Sequence, residues 1–131
     1  MKFPASLVEE MVAHAREDAP NECCGMVGGA DGEASTVYRA TNAEASPLRY
    51  SIAAAEQFRL LREIEEAGEE LVAIYHSHTR SAAYPSQTDV NLAGWPDAVY
   101  VIVSLSDSEA PDVRGFWIRD GAIAEAPLEV T

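Results

Sequence analysis

Lysine is nearly absent from this chain: Lys2 is the only one among nine basic side chains, which face 22 acidic ones. The formal net charge is -13. A surface so negative repels phosphate backbones, which argues against nucleic acid as a partner. The acids run along the whole chain rather than in a tail. That spread is the pattern of a solvated acidic surface, and it also suits a high-salt medium. No apolar run approaches the ~20 residues of a membrane helix, so no membrane partner is expected. The N-terminus has no basic segment followed by an apolar stretch. No secretory signal is expected, and the cytoplasm is the default location. Cysteine is confined to the neighbours Cys23 and Cys24. Adjacent cysteines strain a mutual disulfide, and two alone make no metal framework. Both are expected as reduced thiols.

What is present is a core. Apolar residues make up 47% of 131, enough for one packed domain over residues 1–131. Pro4 to Asp18 reads as a helix, with Leu7, Met11 and Ala15 at helical spacing and Ser6 as its cap. Cys23 to Gly29 reads as a buried strand, Asp31-Gly32 as a turn, and Ala34 to Ala40 as the returning arm of a hairpin. Ala53 to Ala67 is the clearest helix, with an apolar stripe of Ala54, Phe58, Leu61 and Ile64 and a stop at Gly68. Leu71 to Tyr75 is a core strand, Thr79 to Pro85 a loop, and Ser86 opens a short helix ending near Gly94. Val99 to Leu105 and Val113 to Arg119 are strands, and Ile123 to Val130 is a weak last one. This order predicts an α/β fold: a single mixed β-sheet flanked by helices.

The chemistry gathers where the core strand ends in His76-Ser77-His78. Residues i and i+2 of an extended chain share a face, so both imidazoles can aim at one point. Neutral imidazoles are good zinc donors. Downstream, Ser86 and Asp89 lie three apart at a helix start and share a face. Two histidines and one carboxylate would leave a fourth zinc position for water, as catalytic sites do. Each piece alone has a plainer reading. An HxH pair also fits surface or hydrogen-bonded histidines, and Ser86-x-x-Asp89 also fits a helix cap with Asp in place of Glu. A carboxylate saturated by the cap would be a poor ligand. His14 has no partner nearby in sequence and reads as an exposed helical residue.

His76-x-His78, seven residues, then Ser86-x-x-Asp89 resembles the signature of the JAMM (MPN+, Mov34) zinc metalloprotease family. That family also has a glutamate upstream, after the first helix and next to a strand, where this chain has Glu22 in Pro20-Asn21-Glu22-Cys23-Cys24-Gly25. The resemblance implies the cytidine-deaminase-like JAMM/MPN fold over residues 1–131. It implies His76, His78 and Asp89 as ligands of Zn2+, Glu22 as general base, and Ser86 as the donor to the oxyanion. Glu22 by itself also reads as a surface glutamate of an acidic protein. No covalent intermediate is needed, so Cys23 and Cys24 are read as small buried residues near the site, with Cys23 able to reach substrate.

Thr79 follows the second histidine where most of the family has proline. With Ala83-Tyr84-Pro85-Ser86 and Glu22-Cys23-Cys24-Gly25-Met26, it resembles the bacterial Mec-type branch. That branch removes a C-terminal cysteine from a small ubiquitin-like sulfur-carrier protein in cysteine biosynthesis. The chain lacks the insertions with which eukaryotic deubiquitinases of the family grip ubiquitin. A carrier tail is expected to lie extended beside a sheet edge. The Arg80 to Tyr84 loop adjoins the ligands and is the candidate substrate-contacting lid, and the resemblance implies self-association as a homodimer. Trp95 reads as a core residue, with the cleft as its other place. Two further functions remain open: an isopeptidase or small-peptide hydrolase with no carrier partner, and a non-catalytic MPN docking module.

Overall fold

The computed structural model describes all residues, 1–131. In chain order the elements are β1 (Lys2–Phe3), α1 (Ala5–Asp18), β2 (Cys24–Ala30), β3 (Glu33–Ala40), α2 (Ala54–Glu66) and β4 (Glu70–His78). They are followed by α3 (Gln87–Leu92), β5 (Val99–Ser104), β6 (Asp112–Arg119), β7 (Ala122–Glu125) and β8 (Glu129–Val130). The strands form one sheet in the order β7-β6-β5-β4-β2-β3-β1-β8. It is mixed: β4 runs parallel to β5 and antiparallel to β2. The expected fold class is therefore the observed one. No helix is long and apolar enough to cross a membrane.

Two Asp-Gly turns close hairpins. Asp31 and Gly32 take φ of 53° and 77°, and Asp120 and Gly121 take 50° and 77°. Both pairs sit in the left-handed region that tight hairpin turns require, where glycine costs nothing and aspartate little. The second pair joins β6 to β7. The weak last strand is interrupted further on, at residues 126–128, where Pro127 separates β7 from β8. The pairing of β8 with β1 was outside the sequence reading, because two-residue strands carry no periodicity.

The sheet is covered on both faces. Leu7, Met11 and Ala15 of α1 pack on Phe3, Cys23, Val27, Tyr75 and Val101. Across the sheet, Ile74, Tyr100, Ile102 and Phe116 form a second core, and Leu60 and Ile64 of α2 cover Cys24 and Met26. β5 is buried along its whole length, as an interior strand between two covered faces should be. Cys23 and Cys24 are free thiols pointing into opposite cores. Burial pushes both up to about 12.

Three local expectations are corrected. Pro4, not Ser6, occupies the N-cap of α1, and no side chain caps it. The buried stripe of α2 is Leu60 and Ile64; Phe58 is 65% exposed, with the Arg62 guanidinium 6.0 Å from its ring. His14 is buried, its Nδ1 2.7 Å from the Tyr75 hydroxyl and its Nε2 3.3 Å from Asp18. A helical position facing the sheet needs only a spatial partner, which sequence neighbours do not reveal. Gly25 sits against the same tyrosine: a Cβ there would lie 2.3 Å from the Tyr75 ring.

Candidate metal centre

β4 continues as strand through His78 rather than ending at Tyr75. Strand alternation therefore acts on the motif itself. His76 and His78 project to one face, and Ser77 to the other, where its Oγ accepts the Cys23 N–H at 2.8 Å. That bond ties the start of β2 to β4 next to Glu22. From below, α3 begins with a capping box: Ser86 Oγ accepts the Asp89 N–H at 3.1 Å, and Asp89 Oδ2 accepts the Ser86 N–H at 2.9 Å. The same Oδ2 lies 3.1 Å from His76 Nε2 and 2.9 Å from His78 Nε2, and the two nitrogens are 3.2 Å apart. The cap takes one N–H and leaves the carboxylate lone pairs for the histidines, so capping and clustering coexist in Asp89.

The donor set fits a zinc ion. His78 Nδ1 is 2.9 Å from the Ala82 carbonyl oxygen. A carbonyl only accepts, so Nδ1 carries the proton and neutral His78 turns the Nε2 lone pair to the cluster. Electron-rich atoms then converge on one point, which calls for a cation. Zinc bonds of ~2.1 Å at tetrahedral angles put donors about 3.4 Å apart, close to the three separations here. Without metal, a proton must serve. Burial pulls His78 down, but bonds to Asp89 and Ala82 outweigh it and hold its pKa above the ordinary value. Burial lowers that of His76. Burial also pushes Asp89 up, yet hydrogen bonds from both histidines hold it well below the carboxylate range.

A cleft of about 330 Å³ opens beside the cluster, lined by Glu22, Pro47, Leu48, His78, Thr79, Arg80, Ser81 and Ser86. Glu22 is buried, and its Oε1 has no hydrogen-bond partner. Burial raises its pKa to about 7, with His78 opposing and Asp89 adding to the rise. A carboxyl poised near neutrality with a free acceptor oxygen suits a proton carrier. Ser86 Oγ accepts from Asp89 N–H and so keeps its own O–H proton to donate. The expected lid divides in two. Arg80 and Ser81 line the cleft, but Ala82 holds His78 and Ala83 is buried in the core. Cys23, expected to be able to reach substrate, is instead fully buried in the α1 core and does not line the cleft. Trp95 is half-buried beside a separate apolar cavity.

Two site residues escaped the sequence reading. Asn42 is buried and donates to the carbonyls of Glu22 (3.1 Å) and Arg49 (3.0 Å), while its Oδ1 accepts the Ser51 N–H (3.2 Å). Tyr50, between those anchors, stacks on His76 with ring centroids 4.5 Å apart and planes at 23°. An asparagine closing a loop just after a strand was the only available signal.

Residues 4–119 match the family described as prokaryotic homologs of the JAB domain. The chain is 48% identical over 128 residues to a CysO-cysteine peptidase of Mycobacterium tuberculosis, covering 96% of this chain and 88% of that one. It is 38% identical over 112 residues to a desampylase of Haloferax volcanii, covering 79% and 80%. The solution structure of a Desulfitobacterium hafniense protein superposes with a TM-score of 0.91 at 32% identity, covering 100% of this chain and 93% of that one. A JAB1/MPN domain protein from Archaeoglobus fulgidus, 18% identical, shares the fold with a TM-score of 0.64 over 100% and 99% of the two chains. A matched family spanning most of the chain, relatives along nearly its full length and a His-His-Asp cluster at the expected place lead to one conclusion: the chain belongs to the prokaryotic branch of the JAB (JAMM/MPN+) family.

Proposed function

We propose that residues 1–131 form one catalytic domain, a zinc metallopeptidase that hydrolyses an amide bond at the C-terminus of a small ubiquitin-like sulfur-carrier protein and releases cysteine. The observation that carries this reading is the 48% identity to a CysO-cysteine peptidase along 128 residues, together with the convergence of His76, His78 and Asp89.

His76, His78 and Asp89 would hold the zinc ion. Bound zinc supplies Lewis acidity, lowering the pKa of water from about 15.7 toward ~7. Glu22 takes the proton of the attacking water on Oε1 and returns it to the leaving amine. Ser86 donates its hydroxyl proton to the developing oxyanion, with its own oxygen held by the Asp89 N–H. The 79–81 segment and the exposed Leu48 flank the entry to the cleft. A second reading, cleavage of carrier–protein conjugates, is favoured by the desampylase relative.

Metal analysis of purified protein, paired with mass spectrometry of a carrier–cysteine conjugate and a carrier–lysine isopeptide conjugate, tests both. About one zinc per chain and release of cysteine are expected. Cleavage of the isopeptide alone selects the second reading. Zinc-loaded protein that leaves both conjugates intact refutes the peptidase assignment.

A further inference from the structure

The two histidines of the cluster are held in different ways. His78 has the usual arrangement of a metal ligand, its second ring nitrogen bonded to a backbone carbonyl. His76 has no such bond: its Nδ1 is buried without a partner. The torsion that sets an imidazole plane is broad and weakly preferred. Something else must therefore stop His76 from swivelling. The only aromatic ring found stacked on it is that of Tyr50.

Tyr50 is itself fixed from both sides. The Asn42 amide bonds to Arg49 O and Ser51 N, its two chain neighbours. The Ala43 N–H to Ser51 O bond closes the same loop. The tyrosine also borders an apolar cavity of about 200 Å³ with Met26, Ile74, Trp95 and Tyr100, whose lining does not include His76. That cavity leaves room for the ring to shift, so the backbone anchors and the stack define its place.

From this geometry we infer that Tyr50 is the positioning residue for His76, its ring face replacing the hydrogen bond that a metal-bound histidine ordinarily receives. The inference rests on the metal reading of the cluster. The ring plane, set by Tyr50, and the choice of nitrogen, set by Asp89, together aim Nε2 at the ion. The hydroxyl of Tyr50 has no part in this, so phenylalanine should serve as well.

Zinc affinity, read by chelator competition on the full chain, tests the inference without any substrate. Tyr50→Phe should bind within about twofold of wild type. Tyr50→Leu and the milder Tyr50→Met should bind ~10-fold or more weakly, the low end of the effect of removing an outer partner of a metal ligand. Cobalt loading adds a spectroscopic readout. The visible band of Tyr50→Met should shift from that of wild type, and that of Tyr50→Phe should not. If Tyr50→Leu fails to fold, Tyr50→Met decides. Undiminished zinc affinity with an unshifted cobalt band in Tyr50→Met overturns the inference, as does a loss in Tyr50→Phe equal to that in Tyr50→Met. Wild-type protein that binds no zinc would instead overturn the metal reading itself.

Discussion

Two histidine–aspartate clusters lie back to back across β4. On the α1 face, His14 has both ring nitrogens engaged, one near the Tyr75 hydroxyl and one near Asp18. On the other face, His76 has an unpartnered Nδ1 and Glu22 an unpartnered Oε1, and two histidines share one carboxylate oxygen. Each cluster joins buried histidine to an aspartate, although Asp18 is half-exposed and Asp89 is buried. What separates them is the hydrogen bonding. The His14 ring is satisfied at both nitrogens, whereas the other face holds three donor atoms converging on one point and, at Glu22, a buried acceptor left free, the pattern of the proposed metal and substrate site.

Substitutions should separate the clusters cleanly. The largest effect is expected from Glu22→Gln, which keeps size and burial but removes the proposed base. Turnover should fall by ~10²–10⁴-fold with zinc content unchanged, checked by rate assay and metal analysis on one preparation. Retained turnover would take Glu22 out of the proton-transfer role. Ser86→Ala should cost roughly 10²–10³ in kcat through the lost oxyanion donor. It should also cost about 1 kcal/mol of stability through the lost cap of α3.

The clusters should also titrate in opposite senses. Glu22 has a folded-state pKa near 7, above its ordinary 4.5, so folding favours its protonated form. In metal-free protein that stabilisation is complete below pH 4.5 and is lost as pH rises to 7. The loss is about 3 kcal/mol, to be measured as the difference between wild type and Glu22→Gln in denaturant unfolding. His14 behaves the other way. Burial lowers its pKa, so its contribution is present above pH 6.5 and is lost as pH falls below it. The smallest effect is expected at this structural cluster. His14→Ala strands the Tyr75 hydroxyl and should cost ~1–3 kcal/mol, with kcat unchanged. A His14→Ala protein that is folded but inactive would erase the distinction between the two faces.

The legible parts of this molecule are those that repeat or that sit at fixed spacing. Alternation placed His76 and His78 on one face, and the i, i+3 relation brought Ser86 and Asp89 to one helix end, where the structure has them. Strong strands such as Val99 to Ser104 followed from their apolar β-branched run. Residues that act across space were not legible. His14 finds Tyr75 61 positions away, and Asn42 and Tyr50 lie in a segment with no period, so nothing local marks their roles. Phe58 was misplaced because hydrophobicity alone cannot choose between adjacent helix faces. The sheet beneath α2 offers room for Leu60 and Ile64, and the exposed ring lies under an arginine instead.

Gly25 bears on how this chain tolerates change. Its missing Cβ leaves the space taken by the Tyr75 ring, on the structural face of the sheet. Glu22, three residues earlier, serves the opposite face. A survey of random variants scored only by activity would mark both ends of Glu22-Cys23-Cys24-Gly25 as indispensable and invite the view that all four residues form one catalytic motif. Scoring abundance alongside activity would divide them. Changes at Gly25 would deplete the protein from the cell, whereas Glu22→Gln would leave a full complement of idle enzyme.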